Sequence, residues 1–269
     1  MLKFREGSLN ISYVKKHWKI LVFMGLMSVT IYQSGYLIGE IFTSASDASI
    51  MVATNAVWVI IISTVILKTE SFSWKKIFGT ILAFASVVIV VGFSPNFDVK
   101  NRILGDIFIL IAAFSYAIYS VTSHYFLNKT KVEDQSFEPS SLWILTWVSF
   151  FGFLITTPIA LIISPEYLNP LKYINISLPI WVGIGYLAFL STVGAYTFYV
   201  EGIKRLDASR AAIFQTLVPL FGVILSAIFL REKFDFLIYP ISLLLVISGI
   251  ILVNLKSTMN KEKQIEKEI

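Results

Sequence analysis

The sequence predicts an all-α polytopic membrane protein built as an inverted-repeat helical bundle. An apolar composition, long apolar stretches and an internal repeat together indicate this fold class. Hydrophobic residues make up 56% of the 269 positions, and the mean hydropathy is +0.76. A soluble domain of this length cannot bury so much apolar surface in one core, so we expect lipid to be the solvent.

The composition leaves few side chains for catalysis or metal binding. The chain contains no cysteine and two histidines, which excludes disulfides and thiolate metal sites. We therefore expect no metal site, no cofactor and no enzyme activity. The net charge of +5 comes from basic residues in short loops and the C-terminal tail. These form no basic face interleaved with aromatics, so no nucleic-acid partner is expected.

Eight apolar stretches reach the roughly 20 residues that a helix needs to cross the hydrocarbon. None alternates with the two-residue period of a membrane β-strand. The predicted spans lie near 18–39, 46–66, 74–92, 104–127, 141–163, 178–200, 208–230 and 236–255.

The distribution of basic residues predicts the orientation of these spans. If the N-terminus is cytoplasmic, 17 of the 22 lysines and arginines lie on the cytoplasmic side. Because cytoplasmic loops carry the excess of positive charge, we expect a multi-pass protein of the inner or plasma membrane with both termini in the cytoplasm.

An internal repeat appears when the sequence is shifted by 163 positions, which aligns residues 18–90 with 181–253. Thirteen of these 73 positions are identical, and the apolar spans and loops also fall in register. The motif "ASDASI" at 45–50 aligns with "ASRAAI" at 208–213. Five helices separate the starts of the two copies, so the second copy is predicted to cross the membrane in the opposite direction.

The ionisable residues of the apolar stretches are predicted to lie at helix ends. We expect Asp47 to lie near the N-terminus of its helix, where the dipole favours a carboxylate, and Arg210 to reflect positive-inside orientation. The remaining acids would be accommodated by solvent or by a helix dipole, and a proton relay is not evident. These acids are Asp106, Glu201, Asp207 and Glu232.

The second half resembles a known repeat. The segment "AYTFYVEGIKRLDASRAAIFQTLVPLFGVILSAIFLREKF", followed by "ISLLLVISGIILV", is similar to the end of an EamA-type repeat of the drug/metabolite transporter superfamily. "GDIFILIAAFSYAIYSVTSHYFLNK" resembles the opening helix of that repeat. The resemblance implies a ten-helix transporter of five plus five helices, with cytoplasmic ends and a central substrate cavity.

The chain departs from this pattern at its start. Residues 1–92 correspond to an incomplete first half of three helices, 104–256 to a complete second half of five, and 257–269 to a cytoplasmic tail. The eight helices are thus two short of the family's ten. Either the true start lies upstream, or a homo-oligomer or a helper subunit supplies the missing helices.

Polar residues within apolar helices are the candidates for substrate contact, because lipid leaves their hydrogen bonds unmade. Tyrosine is also common in interfacial belts and amides also join helices, so a structural role remains open for each. A helix kink is expected at Pro219. The candidate substrate-binding residues are Tyr32, Tyr36, Asn55, Tyr116, Tyr119, Tyr196 and Gln215.

These features favour a membrane transporter, an exporter of small organic metabolites such as amino acids, working by alternating access. A site lined by aromatics and amides suits neutral or zwitterionic solutes, whereas multiply charged phosphates call for buried basic residues. A membrane enzyme would need acids or histidines clustered at one depth. A non-transporting assembly partner, or truncated paralogue, is the alternative.

The topology predicts where single cysteines can be labelled in intact cells. Cysteines at Thr43, Asn96 and Asn169 should react with an impermeant thiol reagent, whereas cysteines at Ser71, at Ser136 and in the C-terminal tail should not. Labelling of one site from both sides would mean mixed insertion and would contradict the topology.

Overall fold

A computed structural model describes residues 10–67, 74–93, 101–133, 139–169, 173, 176–205, 217–232 and 235–254. Within these ranges the secondary structure is helical and no strand occurs. The α-helices are α1 (Ile11–Gly25), α2 (Ser34–Phe42), α3 (Ala45–Val52), α4 (Asn55–Ile61), α5 (Trp74–Phe93), α6 (Arg102–Glu133), α7 (Ser141–Ile163), α8 (Leu178–Tyr186), α9 (Tyr196–Arg205), α10 (Leu217–Leu225) and α11 (Ile238–Asn254).

The helices confirm the polytopic membrane fold. Four helical stretches are long and apolar enough to cross a membrane: Ile11–Phe42, Arg102–Leu127, Ser141–Ile163 and Leu178–Arg205. Shorter apolar helices occupy Ala45–Ile61, Ile81–Val90, Phe221–Leu230 and Ile238–Leu252. Every predicted span therefore contains a helix, and the described part of the chain fits a multi-pass protein.

Wide π-helical turns recur at equivalent places of the sequence repeat. Leu26–Gln33 and Leu187–Ala195 are π-helical, as are Ile62–Ile66 and Ser226–Leu230. After the 163-residue shift, the bounds of each pair agree within two residues. The two copies thus share local backbone structure as well as sequence. Their inverted orientation stays a prediction, to be checked by a twofold superposition in the membrane plane.

Contacts divide the chain into two compact units, residues 1–30 with 122–205 and residues 31–121 with 206–269. Each unit is described by itself. The predicted boundary between two halves at 92–104 follows the repeat and stays a prediction.

In the first unit, α1 and α7 approach closely through glycine. A Cβ on Gly25 would lie 2.7 Å from the backbone nitrogen of Gly152, so only glycine allows this approach. The hydroxyls of Thr30 and Thr156 are 2.9 Å apart. Further along α7, Ser141 donates a hydrogen bond to Glu201 of α9 at 2.6 Å.

In the second unit, α2 packs against α6 through Gly35 and Gly39. A Cβ on Gly39 would lie 2.6 Å from Ile109, and one on Gly105 would lie 2.7 Å from the carbonyl oxygen of Gly39. Gly35 faces Ala112 on the same helix. The G-x-x-x-G spacing of Gly35 and Gly39 therefore lets a neighbouring helix approach closely.

The second predicted span is interrupted in its middle. α3 ends at Val52 and α4 begins at Asn55, with Ala53 and Thr54 between them. Thr54 closes the interruption, since its backbone nitrogen and its hydroxyl both donate to the carbonyl of Met51, at 3.1 and 2.7 Å. Discontinuous helices in membranes occur where the backbone is buried in protein or lines a cavity. The break places Asn55 at the start of a new helical segment.

Two glycine substitutions separate close packing from loss of helix flexibility. Gly105→Ala introduces a Cβ 2.7 Å from a backbone oxygen and should lower the free energy of unfolding by about 1–3 kcal/mol. Gly185→Ala meets no atom within 4 Å and should be neutral, or stabilising by up to about 1 kcal/mol. Thermal unfolding of both purified variants in detergent measures the difference. Equal melting temperatures would contradict the close α2–α6 contact.

Candidate functional site

The first feature of the site is a row of four tyrosines on the first span and α6. Tyr119 and Tyr116 lie 5.5 Å apart between ring centroids, Tyr116 and Tyr32 lie 4.5 Å apart, and Tyr32 and Tyr36 lie 6.1 Å apart. We call this set the tyrosine row. Tyr32 lies in the π-helical turn that precedes α2, and such turns occur frequently at functional sites. The structure therefore brings together four of the sequence-predicted residues.

The ends of the row differ in environment. Tyr116 and Tyr119 are buried, and Tyr32 and Tyr36 are half-buried. Tyr36 forms the end of the row opposite Tyr119, and its hydroxyl is hydrogen-bonded to Glu40, one helical turn further along α2. The phenol rings are tilted relative to one another, and they combine apolar surface for an aromatic or aliphatic group with hydroxyls for polar contacts.

The second feature is a buried acceptor and a buried donor on α4 that have no hydrogen-bond partner among the described residues. The acceptor is Oδ1 of Asn55, a residue that is 3% exposed, and the donor is the indole Nε1 of Trp58. These residues are three positions apart, so they share a face of the helix. Burial without a partner costs about 1–3 kcal/mol for each group, which a bound molecule or water can recover.

The helix α6 packs against both features. Val59 and Ile62 pack against Ala117 and Val121 of α6. The indole of Trp58 contacts the ring of Phe114, also of α6, at 5.1 Å between centroids. The tyrosine row and the α4 pair therefore share α6 as one wall.

Three sequence-predicted residues fall elsewhere. Tyr196 begins α9 in the first unit, where it is half-buried. Gln215 lies outside the described residues. Pro219 is buried in the first turn of α10, immediately after the segment that is not described, so the predicted kink stays a prediction.

The third feature, which sequence reasoning missed, is a buried ion cluster formed by Asp47, Arg102 and Asp106. Nε of Arg102 donates to Oδ2 of Asp47 at 3.1 Å and lies 3.8 Å from Oδ2 of Asp106. Exposure is 0% for Asp47, 4% for Arg102 and 2% for Asp106. The guanidinium also donates to the carbonyl of Val90 in α5.

Hydroxyl groups complete the cluster. Thr43 donates to Oδ1 of Asp106 at 2.6 Å, and Tyr239 of α11 donates to Oδ1 of Asp47 at 3.3 Å. The cluster thus connects α3, α5, α6 and α11 with the turn that follows α2. The ion pairs and hydrogen bonds of the cluster hold these helices together at one place.

These contacts correct the expectation that the acids at helix ends are accommodated by solvent or a dipole alone. Asp47 does lie in the first turn of α3, but both it and Asp106 are buried and paired with Arg102. The spacing of Arg102 and Asp106, four residues apart, was the available signal, because such residues share a helix face. Thr43 is buried too, so the exposed Asn169 is the better external labelling site, and Asn96 lies outside the described residues.

Glu232 provides a different kind of pairing. Its carboxylate accepts hydrogen bonds from the backbone nitrogens of Ala45 and Ser46 at 2.8 and 3.0 Å, and from the hydroxyl of Ser46. An anion at this position satisfies free N–H groups at the start of α3 and is favoured by the helix dipole. The hydroxyl oxygens of Ser46 and Ser226 lie 2.6 Å apart. Glu232 therefore joins α3 to the end of the π-helical turn that follows α10.

Two arginine substitutions test the weight of the ion cluster. Arg102→Gln leaves two buried carboxylates without their cation and should destabilise the fold by about 3–5 kcal/mol. Arg205 forms a pair of the same i,i+4 spacing with Glu201 but is 76% exposed, so Arg205→Gln should cost about 0.5 kcal/mol or less. Detergent melting temperatures compare the two, and a similar small effect for both would contradict the role of Arg102.

Comparisons with known proteins agree with this architecture. A model of the EamA-like transporter family matches residues 1–92 and 103–255. A solved crystal structure covers 92% of this chain and 84% of its own, with a TM-score of 0.61 at 15% identity, and so shows a shared fold.

Similar curated proteins are named as transporters. The uncharacterized transporter YyaM of Bacillus subtilis is 24% identical over 228 residues, covering 84% of this chain and 70% of that protein. An uncharacterized transporter of Archaeoglobus fulgidus is 29% identical over 243 residues, which cover 89% of this chain and 77% of that protein. A probable amino-acid metabolite efflux pump of Escherichia coli is 25% identical over 164 residues, which cover 61% of this chain and 52% of that protein. Because the family match covers nearly the whole sequence, the chain belongs to the EamA-like transporter family.

Proposed function

We propose that this membrane transporter exports small neutral or zwitterionic metabolites, amino acids among them, by alternating access. The observation that carries the proposal is the unpartnered pair on α4, the Asn55 carbonyl oxygen and the Trp58 indole nitrogen. The first accepts a hydrogen bond and the second donates one. An ammonium group and a carboxylate on one small molecule would satisfy both.

The tyrosine row extends this proposal to the rest of the substrate. Its rings present a largely apolar surface with hydroxyl groups, which suits the side chain of an amino acid better than a second charge. The row itself contains no basic residue that would recognise a multiply charged anion. Tyr196 and Gln215 remain candidates for further contacts from the second copy of the repeat.

The direction of transport rests on a relative. A similar Escherichia coli protein is named a probable amino-acid metabolite efflux pump, and export is the corresponding proposal for this chain. The recurrence of π-helical turns in both copies supports alternating access, because transporters with inverted repeats expose one site in turn to each side.

Counterflow in proteoliposomes tests the substrate class. Vesicles containing the purified protein and loaded with one unlabelled amino acid should take up the same amino acid in radiolabelled form faster than empty vesicles. We expect saturable uptake for neutral amino acids and little for glutamate, because a second carboxylate finds no basic partner in the tyrosine row and meets Glu40 at its end. The absence of saturable uptake for every amino acid, with correctly folded protein, would contradict the proposal.

Asn55→Leu tests the α4 pair. The substitution removes the acceptor and should weaken apparent affinity about 10- to 100-fold, corresponding to about 1–3 kcal/mol. Asn169→Leu is the matched control, because Asn169 is exposed outside the apolar helices. If Asn55 instead joins helices, its replacement should change the melting temperature and leave apparent affinity unchanged. Gln215→Leu should behave as Asn55→Leu does if both amides line one cavity.

A further inference from the structure

The ion cluster contains more acid than base. Among the described residues that form it, two carboxylates, Asp47 and Asp106, face one guanidinium, Arg102. When all three are ionised, the cluster carries one net negative charge in a buried place. Isolated buried charge is costly, and a carboxylate in this position becomes neutral by binding a proton.

The geometry distinguishes the two carboxylates. Asp47 accepts a hydrogen bond on each oxygen, from Arg102 at 3.1 Å and from Tyr239 at 3.3 Å. Asp106 accepts one from Thr43 on Oδ1, whereas its buried Oδ2 has no hydrogen-bond partner and lies 3.8 Å from Arg102. Arg102 therefore neutralises Asp47 more fully than Asp106, and the excess charge belongs to Asp106.

Other charged groups lie near the cluster along the packed elements. Glu40 is on α2, three residues before Thr43, and interacts with Tyr36 and with Glu232. Glu232 is held by the start of α3, which also carries Asp47. Both are acids, so neither compensates the excess negative charge.

We propose that Asp106 is a proton-binding site through which this transporter couples substrate movement to proton movement. The Asp106 carboxylate takes one proton from hydronium, forming the carboxylic acid and water, and returns it to water later in the cycle. Arg102 then pairs with Asp47 alone while Asp106 is protonated, and is shared between both when it is not. In the predicted topology the start of α6 faces the external side, where protons enter. The coupling rests on the transport function proposed above, whereas proton binding does not.

Infrared difference spectroscopy on substrate-free protein in lipid vesicles tests the binding of the proton. A protonated carboxyl group absorbs at a frequency separate from a carboxylate, and the band should grow as the pH of the buffer is lowered stepwise from the alkaline side. Asp106→Asn should remove this band and keep the hydrogen bond from Thr43. A band that persists in Asp106→Asn, or its absence from the unaltered protein, would overturn the proposal.

Two further variants shift the band instead of removing it. Thr43→Val removes a donor to the ionised form, so proton affinity should rise by about tenfold, or one pH unit. In Asp47→Asn, Asp106 is the one carboxylate of the cluster that still pairs with Arg102. The pH at which the carboxyl band reaches half its height should therefore be lower. These variants keep the test decisive if Asp106→Asn does not fold. Unshifted midpoints in both would place the titrating group elsewhere and overturn the proposal.

Asp235→Asn is the control. Asp235 accepts hydrogen bonds from the backbone nitrogens of Ile238 and Leu237, which hold the pKa of its carboxyl below its usual range. It therefore stays ionised over the measured interval, and its replacement should leave the band unchanged. Loss of the band in this variant would show that the signal does not belong to the ion cluster.

The coupling is tested separately. A pH gradient, acidic outside, should accelerate amino-acid export by the unaltered protein and have no effect on Asp106→Asn. A gradient effect of equal size in both proteins would overturn the coupling, whatever the spectra show. Failure of every amino acid to move would instead contradict the substrate proposal and leave the spectroscopic result standing.

Discussion

The contact between Arg102 and Asp47 is the interaction on which the second unit depends. It joins α6 to α3. Arg102 also donates to the carbonyl of Val90 in α5, and Asp47 also accepts a hydrogen bond from Tyr239 of α11. In a membrane protein, apolar packing between helices gains little over packing against lipid, so specific polar contacts and close approach determine which helices meet. Arg102 provides the specific polar contacts, and the glycines of α2 and α6 allow the close approach. Together they fix the positions of α2 and α6, and hence the tyrosine row.

The same physical reasoning separates the polar groups that hold the fold from those that are free to act. Glu232, Asp47 and Thr43 have their hydrogen bonds directed at neighbouring elements, which is a structural use. Oδ1 of Asn55 and Nε1 of Trp58 are buried atoms without a hydrogen-bond partner in the described part of the chain. Unmet hydrogen-bonding capacity inside an apolar bundle is costly, and its presence next to a helix break is the basis of the proposed substrate contact.

The positions of the helices were predictable because the thickness of the lipid sets both their length and their hydropathy. The shared faces of Tyr32 with Tyr36 and of Tyr116 with Tyr119 also followed from the sequence, since residues three or four apart share a helix face. The contact between Tyr32 and Tyr116 did not follow, because it depends on which two helices pack together. The break at Ala53 and Thr54 and the π-helical turns did not, because they depend on which hydrogen bonds the packed neighbours allow. The ion cluster was missed for a different reason. Residues at helix ends were expected to be exposed to water, whereas the residues at this end are covered by α5 and α11. Gln215 and the orientation of the repeat remain predictions.

The π-helical turns have a consequence for how side chains are oriented in the two copies of the repeat. A π-helical turn holds more residues than an α-helical turn, so it changes the rotational relation between the residues on its two sides. Both copies retain two such turns at matching places, although only 13 of 73 aligned residues are still identical. Residues 163 positions apart therefore keep equivalent directions around their helix axes on both sides of each turn, and the repeat can be followed through the turns without a gap.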